Sequence, residues 1–74
     1  MTGNRERTMR LKVDLESDAL YFRLNANAIV DSEEVRPGIM FDFDKDGQVV
    51  GVEFLGIRER TSARELASLN FEIT

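Results

Sequence analysis

Apolar and polar residues alternate along most of this chain with the period of a pleated strand. Leu11, Val13 and Leu15 alternate with Arg10, Lys12 and Asp14, which predicts a first strand with one apolar face. After the polar turn Glu16-Ser17-Asp18 the pattern resumes in Ala19–Leu24, with Leu20, Phe22 and Leu24 facing inward and Tyr21 and Arg23 outward. The two segments are read as a hairpin. Asn25-Ala26-Asn27 is a short loop. The next stretch, 28 to 35, joins Ile29 and Val30 to Ser32-Glu33-Glu34. It predicts a short strand near a sheet edge, where charge discourages wrong pairing.

The strongest alternation runs from Pro37 to Leu55 and predicts a second hairpin, on which the rest of the fold is organised. It holds three of the five phenylalanines. Ile39, Phe41 and Phe43 are spaced by two, and so are Val50, Val52 and Phe54 on the return arm. Between them lies Asp44-Lys45-Asp46-Gly47, in which Gly47 suits a position of positive φ and the aspartates suit bonds to turn amides. A four-residue loop over 44–47 sets Phe43 opposite Gln48 and Phe41 opposite Val50, and places all six apolar side chains on one face. A three-residue loop shifts the register by one and breaks that face, so the longer loop is preferred. Pro37, with no N–H, belongs before the strand or at an edge, and Ile57 is expected to extend the second arm past Gly56.

Beyond Arg60 the period changes. Ser62-Ala63-Arg64-Glu65 is a capping box, predicting a short helix over 63–69 with Ala63, Leu66, Ala67 and Leu69 as its apolar stripe. A helix this short must dock to persist. Phe71 and Ile73 alternate with Glu72, which predicts a short terminal strand or an apolar tail. The fold class is α+β: an antiparallel sheet of four to five strands built from two hairpins, with one short C-terminal helix. Residues 1 to 8 are read as a disordered tail, Met9 as an alternative start, and 9–74 as one small domain.

With 74 residues, the chain buries only about 60% of its unfolded surface. Dimerisation is a natural way to enlarge such a core, and Phe71 and Ile73 are its expected contacts. The absence of cysteine and histidine excludes disulfides and thiol catalysis and removes the commonest general base and zinc ligands. No cofactor is implied. A net charge of −4 disfavours nucleic acid. The apolar runs fall far short of the ~20 residues of a membrane helix, and no signal-peptide core opens the chain, which makes the cytoplasm the default location.

Asp42-Phe43-Asp44-Lys45-Asp46-Gly47, five further residues and Glu53 match the calcium-loop pattern D-x-D-x-D-G-x5-E. That loop needs a helix on each side, whereas both flanks here alternate like strands. The preferred reading is a polar hairpin turn, with Asp42, Asp44 and Asp46 as weak candidates for a surface cation site. Asp14, Glu16 and Asp18 flank the first turn and are expected to satisfy its backbone. A sheet with one short helix leaves little room for the cleft that carboxylate-pair catalysis requires. Tyr21 and Arg23 serve either as cross-strand partners of Lys12 or Asp14 or as interface anchors. Arg58, Arg60 and Arg64 form a basic group that is either a solvated surface or a contact for an acidic partner.

Three blocks in one order carry a family resemblance: Val13–Leu24, Ser32–Gly38 and Phe41–Leu55. Together they resemble small prokaryotic proteins of domain-of-unknown-function family 2283, over about residues 9 to 57. The resemblance implies a compact, strand-rich α+β domain and, through members found beside small toxin-like proteins, a partner-binding role. The functional expectation is therefore a non-enzymatic protein-interaction module, a homodimer or the partner of another small protein. The alternative is a small-ligand or cation-binding protein that uses the acidic turns.

Overall fold

The computed structural model describes residues 8–74; apart from Thr8, the expected N-terminal tail lies outside the described residues. The strands are β1 (Arg10–Asp14), β2 (Ala19–Arg23), β3 (Asp31–Arg36), β4 (Ile39–Phe43) and β5 (Val49–Leu55). A 3-10 turn at Ile57–Glu59 and the helix α1 (Ala63–Leu66) follow. The strands form a single antiparallel sheet in the order β1-β2-β5-β4-β3. Two hairpins do not exhaust its pairing: β3 also pairs with β4, and the long-range β2–β5 pair joins the two halves. β3 lies at an edge, where Asp31, Glu33 and Glu34 keep its free side charged.

The β4–β5 register differs from the expected one in an instructive way. Asp44 N–H donates to the Gln48 carbonyl at 3.0 Å and Gly47 N–H to the Asp44 carbonyl at 3.0 Å. The turn thus encloses Lys45, Asp46 and Gly47, with Gly47 at φ 78°. This is the three-residue loop that the face argument disfavours, and Phe43 accordingly pairs with Val49. The register then shifts again between Asp42 and Phe43, so that Phe41 pairs with Val52 and Ile39 with Phe54. Two single-residue shifts add to a shift of two, which restores the parity of the side chains. The apolar face survives because a β-bulge at Val50 cancels the slip made by the turn. Val50 does not sit opposite Phe41. It is the extra residue of the bulge, 0% exposed, and its carbonyl accepts from the Leu24 N–H at 2.8 Å.

The C-terminal region departs from its expected form. Gly56, at φ 65°, turns the chain out of the sheet, so Ile57 does not extend β5. It is buried in the 3-10 turn instead, 5% exposed, with its N–H donating to the Asp18 carbonyl at 3.0 Å. The capping box forms: the Glu65 N–H donates to Ser62 Oγ at 3.1 Å and the Ser62 N–H to Glu65 Oε1 at 3.1 Å. The helix ends after Leu66 rather than at 69, with Ala67 as its C-cap. The Ser68 N–H donates to the Glu65 carbonyl, three residues back, tightening the last turn in place of further α-helix. Residues 69–74 form no strand. No helix among the described residues is long and apolar enough to cross a membrane.

Candidate functional site

Cross-strand partners share a face of a sheet, so the pairing assigns the side chains. Leu11, Phe22, Val52 and Phe41 form one row across β1, β2, β5 and β4. Val13, Leu20, Phe54 and Ile39 form a second row beside it. Phe43 continues this face and meets Phe41 edge-on, with ring centroids 6.3 Å apart. Such a face needs a cover. The only α-helix among the described residues is α1, and it overhangs one end of the face through Glu65 and Leu66. A groove of about 370 Å³ separates it from the sheet, lined among others by Leu11, Val13, Phe54, Leu66 and Leu69. Leu11 remains 41% exposed, and Phe22, Phe41 and Val52 are only half-buried.

The opposite face is polar. Tyr21 donates its hydroxyl to Asp42 Oδ2 at 3.1 Å, across β5, and Ser32 Oγ donates to Asp42 Oδ1 at 2.6 Å. The bridge passes over Gly51, which pairs with both Arg23 and Asp42. A Cβ built on Gly51 would lie 2.8 Å from the Tyr21 hydroxyl and 2.9 Å from Asp42 Oδ2, so any side chain here displaces the ends of that pair. Burial is the main cause that raises the Tyr21 phenol above its ordinary value, and the Asp42 carboxylate adds to it. The phenol therefore keeps its proton at neutral pH and serves as a donor. Beside it lies a depression of about 210 Å³ lined by Lys12, Asp14, Ser17, Ala19, Tyr21 and Glu53. That is smaller than the roughly 300 Å³ at which ligand pockets begin.

The sequence-derived candidates separate in space. Tyr21 pairs with Lys12 in register but spends its hydroxyl on Asp42. Arg23 pairs with neither Lys12 nor Asp14: its guanidinium donates to the carbonyls of Asn25 and Asn27 and holds the loop after β2. Asp14 Oδ1 accepts from the amides of Glu16 and Ser17, as a turn aspartate should. Asp42 faces the polar side of the sheet, while Asp44 is buried in the turn. Asp44 Oδ1 accepts from the amides of Asp46 and Gln48 at 2.9 and 3.0 Å, and Oδ2 accepts from Asn27 Nδ2 at 3.0 Å. The adjoining hollow of about 450 Å³, between the 24–30 connection and the acidic turn, thus meets a carboxylate whose two oxygens are already engaged. Among the described residues no group of three His, Cys, Asp or Glu side chains is placed to hold a metal ion.

Two members of the arginine group act as internal straps. Arg58 pairs with Asp18 at 3.6 Å and donates to the Leu15 carbonyl at 2.9 Å. Arg60 donates to the Pro37 carbonyl at 3.1 Å and lies 6.0 Å from the Phe54 ring centroid. Phe71 and Ile73 are 78% and 85% exposed. Sequence reasoning missed the roles of Ser32 and Gly51. A glycine inside a run of β-branched residues was the available signal, since it marks a close approach.

The acid side of the stability profile follows from these bonds. Asp44 is held below its ordinary 3.8, chiefly by the Gln48 amide and then by Asn27. Glu65 is held below 4.5, chiefly by the Ser62 amide. Both carboxyls have depressed folded values. Their contribution is complete above the ordinary values and is lost as pH falls through the folded ones. Urea midpoints should be flat between neutral pH and about 5, then decline below about 4. Asp44→Asn removes one titrating group and should flatten the acid limb. An equally steep limb in that variant would separate Asp44 from the effect.

Among known families, the model described as "Protein of unknown function (DUF2283)" matches residues 10–58, more than half of the chain. No curated protein and no solved structure matches it. The matched span contains all five strands and ends inside the 3-10 turn that carries Ile57. The chain belongs to the DUF2283 family, a family of unknown function.

Proposed function

We propose that this chain is a non-enzymatic protein-interaction module, that its apolar sheet face is the docking surface, and that its first partner is a second copy of itself. Residues 9–74 act as one unit in this reading, in the cytoplasm, with another small protein as the second candidate partner. A single observation carries it: two unbroken apolar rows cross four strands, and one helix of four residues covers only their end. Two antiparallel sheets with one apolar face each pack about 10 Å apart and exclude water between them. Exposed contiguous apolar surface of this kind marks interaction sites. The polar row on the other face lacks a cleft, and the turn carboxylate Asp44 is fully bonded, so neither competes as the centre of function.

Light scattering over a concentration series tests the reading. The parent chain should approach twice its monomer mass. Val52→Asp, in the middle of one row and far from both sheet edges, should remain monomeric while keeping its circular dichroism. A folded Val52→Asp protein that associates as the parent does would remove the face from consideration.

A further inference from the structure

Residues 69–74 carry a strand pattern without a strand partner. Leu69, Phe71 and Ile73 alternate with Asn70, Glu72 and Thr74. Among the described residues, no backbone group of this segment bonds another backbone group. Phe71 and Ile73 are 78% and 85% exposed, so the segment presents an apolar side and unpaired amides together. A segment of this kind gains most by adding to the free edge of a sheet.

The sheet has two such edges, β1 and β3, and they differ. The β3 edge carries Asp31, Glu33 and Glu34, and its ladder is interrupted between Glu34 and Arg36. Glu72 would be repelled there. The β1 edge is uninterrupted and carries Arg10 and Lys12. Its Leu11 and Val13 belong to the apolar face and remain exposed. An antiparallel register with Lys12 opposite Glu72 sets Leu11 opposite Ile73 and Val13 opposite Phe71. Apolar then meets apolar at both positions, and the one charged pair falls on the polar face. No single-residue slip achieves this, because each inverts the whole set.

We infer that residues 70–73 of one copy add as a sixth strand to the β1 edge of a second copy, with Lys12 and Glu72 paired between the chains. The chain's own segment is held off that place. Leu69, 69% exposed, lines the rim of the groove with Leu11 and Val13, whereas the same register within one chain would carry Leu69 out to the level of Leu15. A second copy's segment has no such tether. The exchange is reciprocal, so it closes as a two-fold dimer and does not propagate. The inference rests on the proposed self-association for its occupant but uses the backbone edge of β1, and shares only Leu11 and Val13 with the docking face.

The test is charge reversal at the edge, read as a dimer dissociation constant by analytical ultracentrifugation. Lys12→Glu and Glu72→Lys should each weaken the dimer about tenfold, since each acts at two symmetry-related sites. The double variant should return to within about twofold of the parent. Phe71→Asp should abolish the dimer and leave the monomer's melting unchanged, because the ring is exposed. Contacts between Val13 methyls and the Phe71 ring should appear in isotope-filtered NMR of mixed labelled and unlabelled chains. Single variants without effect, a double variant that fails to recover, or contacts found only within one chain would each overturn the inference. A dimer broken by Val52→Asp but indifferent to charge reversal would sink the added strand and keep the docking face. The converse pattern would keep the strand and sink the face.

Discussion

Replacing Ile57 by alanine should cost about 2–5 kcal/mol, the largest loss expected from any single truncation here. Few side chains are fully enclosed: among the described residues Val50, Ala19 and Ile57 make up the buried apolar set. Ile57 is one of the two larger members, and it sits where the chain leaves the sheet. Its N–H donates to the Asp18 carbonyl and fixes the 3-10 turn against the β1–β2 turn. Its carbonyl accepts from the amides of Arg60 and Thr61 and sets the direction of the segment that carries α1. Truncation therefore opens a cavity at the groove that Ile57 lines with Leu20 and Phe54 and loosens the anchor of the only α-helix among the described residues. Ile57→Val removes one methylene and should cost about 0.5–1.5 kcal/mol. Urea unfolding of the pair checks both values. Equal, small losses would mean that the turn can collapse around the missing atoms and that the C-terminal region is held elsewhere.

Gly51→Val should be the second largest effect. Inserting a branched side chain where a Cβ already meets Tyr21 and Asp42 overpacks the polar face by about 1–3 kcal/mol. The lost Tyr21–Asp42 hydrogen bond adds about 1 kcal/mol. The atoms in the way are the ends of two side chains, so the backbone is spared and the cost comes from separating the pair. That origin makes the effect conditional. In a Tyr21→Ala background the ring is gone, and Gly51→Val should cost markedly less, a coupling that a double-mutant cycle measures directly. An unchanged cost in that background would place the strain in the backbone of β5 and not in the row that crosses it. The same variant should return the Tyr21 phenol toward its ordinary titration, which ultraviolet absorbance at high pH reads independently.

The apolar rows and the polar row sit on opposite sides of one sheet, and their energetics differ. The apolar rows are worth most when covered, because burial contributes about 25 cal/mol per Å² of apolar surface. The polar row is satisfied within the monomer. Its three partners already exchange their hydrogen bonds, so a ligand there would have to break them. This asymmetry explains why the association reading attaches to the apolar face, although tyrosine and arginine on the other face had suggested anchors.

Local rules accounted for much of this protein from its residues alone. The two-residue period located β1, β2, β4 and β5, because alternation in a strand is a property of the strand itself. The capping box located the start of α1, because its two hydrogen bonds span four consecutive residues. Gly47 marked the turn, because positive φ is a property of one residue. Tertiary structure decided what those rules could not reach. The turn and the bulge at Val50 each shift the register by one, and only their sum, set by how both strands pack, preserves the face. Asp44 became a buried turn anchor through Asn27, seventeen residues away, and Arg58 became a strap through Leu15, forty-three residues away. Ser32, Asp42 and Tyr21 met only because β3, β4, β5 and β2 lie side by side. Whether a polar group binds its own chain or a partner depends on neighbours brought close by folding, and a linear pattern does not contain those distances.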